Sequence, residues 1–221
     1  MSMSDRDRVA YTPLYEDALA YASGLHAAHF RKGPDHGPRI PHIAHLLSVS
    51  SLVWEAIGTR VPGTDEPTNQ DLAIAGLLHD AVEDQGGRPV LEEIRRRFGD
   101  HVARIVDECS DADQMPKPPW RERKEAHIAH MATASKGALV VIAADKLHNV
   151  TCMIDDYLTD GDELWERFDA PCKPGDIFWY YDEMHAALER RLGKIRLVNR
   201  VGEGITRLKN RGETQKVASL S

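Results

Sequence analysis

Residues 137–149, GALVVIAADKLHN, place one aspartate at the end of eight uncharged residues. A segment that apolar belongs in the middle of a protein, and a lone carboxylate there is too costly to leave without a positive partner. Around a helical wheel Lys146 points about 100° away from Asp145, an awkward direction for pairing, whereas Asn149 lies one turn on and faces the same way. The stretch therefore predicts a central helix and, for Asp145, either a buried cation of the protein or a metal ion shared with other ligands.

The rest of the chain carries the same period. Leu14, Ala18, Tyr21, Ala22, Leu25 and Ala28 recur at helical spacing over 13–32, and no β-alternation persists anywhere. The Gly- and Pro-rich KGPDHGPRIP, 32–41, reads as a loop, with Pro41 placed to start a helix running to Gly58. Thr68 and Asp71 have capping-box spacing for a helix through LAIAGLLHDAVED that stops at Gly86-Gly87. Two short helices separated by Gly99 follow, and further helices are expected over 120–135, 137–158, 161–168 and 175–201. The polar stretch from Gly202 to Ser221 lacks periodicity and is expected to be a mobile tail. This gives an all-α bundle: residues 1–12 as an N-terminal extension, one domain over 13–201, and a tail over 202–221.

Within the third helix, LLHDAVED groups four polar side chains. His79, Asp80, Glu83 and Asp84 fall within an arc of about 140° on a continuous helix. Leu77, Leu78, Ala81 and Val82 surround that face with apolar surface. On its own the string fits a solvated acidic helix end as well as a cation site; Asp145 tips the reading towards a shared cation. His45, in PHIAHLL, faces an apolar stripe with Leu46 and Val49 and adds a further candidate ligand, although one of 11 histidines is more often a surface or core residue than a ligand.

Composition narrows the partners. A net charge of −7 argues against a nucleic-acid surface. Cys109, Cys152 and Cys172 form no C-x-x-C pair, which speaks against a disulfide framework or a thiolate zinc site. The longest apolar run falls far short of the roughly 20 residues needed to cross a bilayer, and the start of the chain has no signal-peptide core. The expectation is a cytoplasmic protein with no membrane partner. Against the acidic background, Lys117, Arg121, Arg123 and Lys124 gather around Trp120 and could bind a pyrophosphate or simply open a solvated helix. Tyr180 in FWYY reads as core or as a nucleotide contact. His127 and His130, at helical spacing but without a carboxylate partner, read as surface or core.

The order His45, His79-Asp80, Asp145 resembles the HD superfamily of metal-dependent phosphohydrolases. More closely, PHIAH, LLHDAVED and AADKLHN are similar to segments of the alarmone hydrolases, both the hydrolase half of Rel/Spo enzymes and the stand-alone small forms, over roughly residues 20–185. The resemblance implies a helical HD bundle in which His45, His79, Asp80 and Asp145 hold one divalent ion, usually Mn2+. It makes Glu83 and Asp84 the catalytic pair, with Glu83 the principal acid/base. Asn149 then contacts the sugar region, Arg31 packs on the base and Lys32 approaches the phosphates. The implied reaction removes the 3′-pyrophosphate of (p)ppGpp or (p)ppApp. The stretch after Asp145 is too short for a synthetase domain, so none is expected. The chain departs from the family in the insertion GPDHGPR, which brings in His36 and Arg39, in His42 where Tyr is usual, and in the absence of an Arg after Asn149. Arg39 is thus an alternative to Arg31, and base preference stays open. Other phosphoesters such as NADPH, a homo-oligomer, and an antitoxin-like pairing with an alarmone synthetase are further readings.

Overall fold

A computed structural model describes residues 12–33, 39–57, 68–110, 118–168 and 173–218. Nine α-helices form a single-core bundle in this part of the chain: α1 (Pro13–Leu25), α2 (Ile43–Ile57), α3 (Asn69–Leu78), α4 (Ala81–Gln85), α5 (Arg88–Cys109), α6 (Trp120–Met131), α7 (Lys136–Asp160), α8 (Pro174–Leu192) and α9 (Arg196–Ala218). A 3-10 turn, Gly161–Arg167, follows α7. Among the described residues the only β-feature is an isolated bridge between Phe30 and Pro41.

The helix starts follow from side-chain chemistry. The Thr12 hydroxyl accepts the Leu14 N–H ahead of Pro13, and Ser135 accepts from Ala138 N at the start of α7. The Thr68/Asp71 box expected from the sequence forms with both hydrogen bonds in place. In α5, Gly99 adopts φ 90°, so two helical segments meet at a kink, as its position between them suggested.

α7 is the axis of the molecule. It packs against α2, α3, α5, α8 and α9, and Leu139, Val140, Val141 and Ala144 are fully buried. The stretch Lys136–Arg167 is long and apolar enough by composition to cross a membrane, but 72% of its apolar window is buried inside the bundle. It is a core helix. α2 and α3 approach closely because residue 76 is glycine: a Cβ there would stand 3.1 Å from Ser50 Cα.

Three expectations are corrected. The helix carrying LLHDAVED is not continuous: α3 stops at Leu78, His79 and Asp80 form a turn, and α4 resumes at Ala81. Both turn residues keep right-handed helical angles, so the side chains stay on one side. The expected helix 175–201 is two helices divided at Gly193, φ 72°. The expected tail begins inside α9, where Ile205 and Leu208 are buried and Gly204 lets the helix approach Val150. An all-polar reading overlooked those two residues, which stand i, i+3 on the buried face.

Candidate functional site

Three helices and one turn converge on a small cavity. α2 brings His45, the turn after α3 brings His79 and Asp80, α4 brings Glu83, and α7 brings Asp145, Lys146 and Asn149. Arg31, Cys109, Lys124, His127 and Ile142 complete the lining. The cavity measures about 170 Å3. Since whole small-molecule pockets run to roughly 300–1,000 Å3, it has room for a reacting group and not for an entire nucleotide.

The ring nitrogens and carboxylates form a tight group. His45 Nε2 is 3.2 Å from Asp145 Oδ1 and 3.6 Å from Asp80 Oδ2; His79 Nε2 is 3.1 Å from Asp80 Oδ1 and 3.7 Å from Asp145 Oδ1. Donor atoms of His45, His79 and Asp145 all lie within 4.8 Å of one another, and the three residues are buried. His79 Nδ1 lies 3.0 Å from the Gly76 carbonyl and donates to it, which leaves Nε2 facing the carboxylates. That Nε2 is buried and makes no hydrogen bond among the described residues.

Charge follows the same geometry. Burial disfavours charge on Asp80 and Asp145, but it is outweighed. His79, His42 and His45 hold the Asp80 carboxyl down, and Lys146, His45 and His79 hold the Asp145 carboxyl well below the usual range. Burial likewise disfavours a proton on His79, yet Asp80 and Asp145 overcome it and raise its pKa to about 9. On His45 burial prevails and the pKa falls. Two ionised carboxylates facing an imidazole nitrogen, His79 Nε2, that makes no hydrogen bond among the described residues mark a place that calls for a cation. Two imidazoles and two carboxylates fit a divalent ion of the first transition row.

The expected residues divide. Asn149 faces Asp145 as the helical period required, with Nδ2 2.5 Å from Oδ1, and its own Oδ1 accepts from Arg31 Nη2 at 3.0 Å. Lys146, judged an awkward partner, nevertheless reaches Asp145 Oδ2 at 2.7 Å. Its flexible stem overrides the wheel angle. Arg31 lines the cavity, while Arg39 stacks its guanidinium on Phe30, 3.9 Å from the ring centroid. Lys32 is exposed and outside the lining. Arg121 lies over Trp179 and binds Glu125, away from the cavity. Lys117 and His36 lie outside the described residues. Tyr180 is core, and its ring receives the ammonium groups of Lys124 and Lys146, 4.9 and 5.8 Å from the centroid. Glu83 lines the cavity, but Asp84 does not; its Oδ2 is 3.6 Å from His29 Nδ1.

Sequence reasoning missed the supporting histidines. His42 Nε2 is 2.9 Å from Asp80 Oδ2, and His148 Nδ1 is 2.8 Å from His45 Nδ1. His127, read as surface or core, is buried and lines the cavity. For His148 a signal was available: it stands i, i+3 from Asp145 on the same helix.

Comparison with known proteins agrees with this arrangement. The HD domain family model matches residues 18–166. The chain is 35% identical over 134 residues to the guanosine-3′,5′-bis(diphosphate) 3′-pyrophosphohydrolase MESH1 of Xenopus tropicalis, covering 61% of this chain and 66% of that protein. It is 33% identical over 139 residues to the GTP pyrophosphokinase of Streptomyces coelicolor, covering 62% of this chain and 14% of that one. A solved structure described as a metazoan ortholog of SpoT that hydrolyses ppGpp superposes with a TM-score of 0.69 at 22% identity, over 90% of this chain and 97% of the other, and supports the fold. A second, lmo0812 of Listeria monocytogenes, superposes with a TM-score of 0.60 at 27% identity, over 73% and 96%. With a family match over most of its length and the His-Asp cluster in place, the chain belongs to the HD domain family.

Proposed function

We propose that this protein is a metal-dependent 3′-pyrophosphohydrolase of alarmone nucleotides, (p)ppGpp and/or (p)ppApp, releasing pyrophosphate and GDP or GTP, or the adenosine equivalents. The observation that carries the reading is the gathering of His45, His79, Asp80 and Asp145 with Glu83 in one cavity, edged by Arg31, Lys124 and Lys146. The activity for which the MESH1 relatives are named supports it.

His45, His79, Asp80 and Asp145 would hold the ion. The chemistry supplied on binding is acidification of water and neutralisation of charge on a phosphoryl oxygen, and Mn2+ suits the mixed imidazole and carboxylate donors. Glu83 stands on the next turn after these ligands. It accepts the proton of the attacking water and returns it to the 3′-oxygen as the ester bond to phosphorus breaks. Asp84, also expected to be catalytic, sits beside His29, so the proton transfer falls to Glu83. Lys124 and Lys146 face the cavity with charge for a diphosphate, and Arg31, fixed by Asn149, orients the nucleoside end at the mouth. Free Cys109 and Cys152 accord with a cytoplasmic setting. Hydrolysis of an alarmone presupposes a synthetase that makes it, which is the basis for the expected pairing.

The test offers ppGpp, pppGpp, ppApp and NADPH to Mn2+-loaded protein and measures pyrophosphate release. Alarmone cleavage, reduced at least ~100-fold in Glu83→Ala, is the expected result. No turnover of any alarmone by the loaded protein overturns the reading, and cleavage of NADPH alone reassigns the substrate.

A further inference from the structure

A second group of ligand-type side chains lies next to the cavity and takes no part in the reaction above. His26, His29, His42 and Asp84 each present a donor atom, and these atoms lie within 4.8 Å of one another. His26 Nδ1 and His29 Nδ1 are 3.0 Å apart, and His29 Nδ1 is 3.6 Å from Asp84 Oδ2. The three rings stack, with centroids 4.2 to 5.3 Å apart.

The chain builds this group from separate segments. HAAH puts His26 and His29 at i, i+3 just beyond α1, where the His29 N–H donates to the His26 carbonyl. The bridge between Phe30 and Pro41 then carries His42 back, its N–H donating to the His29 carbonyl. α4 supplies Asp84.

A purely structural role for the cluster accounts poorly for its polar atoms. Two ring nitrogens 3.0 Å apart can share only one proton, and Gln85 Nε2 approaches the same His26 Nδ1 at 3.3 Å. His26 is 2% exposed, and its Nε2 has no hydrogen-bond partner among the described residues. Buried imidazoles held this way lose hydration without full compensation, whereas Leu or Phe would fill the same space with no polar atom to satisfy. What three imidazoles and a carboxylate within one ion's reach do well is coordinate a metal.

We propose that His26, His29, His42 and Asp84 form a second metal site, selective for a borderline ion such as Zn2+ in a four-coordinate arrangement. The site stands apart from the hydrolytic reading, since its residues and those of the first cluster do not overlap. Asp84 is exposed and opens the site to solvent. The two sites are adjacent: Asp80 faces His79 with Oδ1 and His42 with Oδ2.

The experiment counts zinc per chain by mass spectrometry after metal-free protein is loaded with excess Zn2+ and desalted. Two ions are expected in the wild type, one in His29→Gln and one in Asp145→Asn. A single ion that disappears in Asp145→Asn and persists in folded His29→Gln overturns the proposal and leaves the first site standing. A single ion lost in His29→Gln but kept in Asp145→Asn upholds the second site and removes the first. Should His29→Gln fail to fold, Co2+ titration of Asp145→Asn, which lacks a ligand of the first cluster, decides: an intense visible band of four-coordinate cobalt upholds the site, and only the weak absorption of six-coordinate cobalt, or none, overturns it.

Discussion

The imidazoles of this protein are tuned in opposite directions, and a pH dependence follows. Burial, with His42 beside it, pushes His26 down to about 4, and burial with His45 does the same to His148. In the unfolded chain both bind protons near the ordinary value of about 6.5. Their contribution to stability is complete above that pH and is lost as the pH falls towards 4. His79, raised to about 9, behaves conversely: its contribution is complete below about 6.5 and is lost as the pH rises through 9. Metal-free protein is therefore expected to melt at its highest temperature near neutrality, with Tm declining on both sides. Calorimetry of chelator-treated protein from about pH 3.5 to about pH 9.5, a range that brackets these shifts, checks this, and a Tm that climbs steadily to either extreme contradicts it. At this scale the meeting of His45, His79, Asp80 and Asp145 was legible: a carboxylate in an apolar helix needs a partner, and the order of the four residues resembles a known family pattern. His42, His26 and His29 were not, since their meeting depends on a backbone bridge between residues 30 and 41 that no periodicity signals.

Helix α3 leads into the turn of His79 and Asp80, so its seating against α2 sets the positions of both residues. Gly76 permits that seating. A Cβ would lie 3.1 Å from Ser50 Cα and 3.3 Å from Ser50 N, and backbone atoms in the middle of a helix cannot step aside as a side chain can. Gly76→Val is expected to destabilise the fold by about 1–3 kcal/mol and to weaken metal binding together with it, measured by urea unfolding and metal titration. Unchanged stability would show that the two helices can separate without loss. The Thr68/Asp71 cap and the Gly99 kink were readable because each rests on local chemistry. The breaks at His79-Asp80 and Gly193 were not: an apolar stripe with helical period runs across both, and only the backbone angles reveal the interruption.

Across the whole molecule, α9 closes the bundle. It lies against α7 and α8, with Val198, Val201, Ile205 and Leu208 buried. Removing residues 202–221 would strip Ile205 and Leu208 from the core and expose the Val150 side of the axis helix. At about 1.5–3 kcal/mol for each buried aliphatic side chain, the truncated chain is expected to melt several degrees lower, which a thermal scan beside the full chain will show. An unchanged melting temperature would mean that the segment behaves as the tail its polar composition suggested.

The short bridge between Phe30 and Pro41 has a consequence for how such a chain can diversify. It ties Arg31 N to Ile40 O immediately before His42 and His45. Length and composition beyond the clamp are thereby uncoupled from the spacing of His42 and His45. A change of length between residues 33 and 39 therefore leaves the placement of His42 and His45 untouched, and that stretch can drift in evolution without disturbing the cluster that follows the clamp.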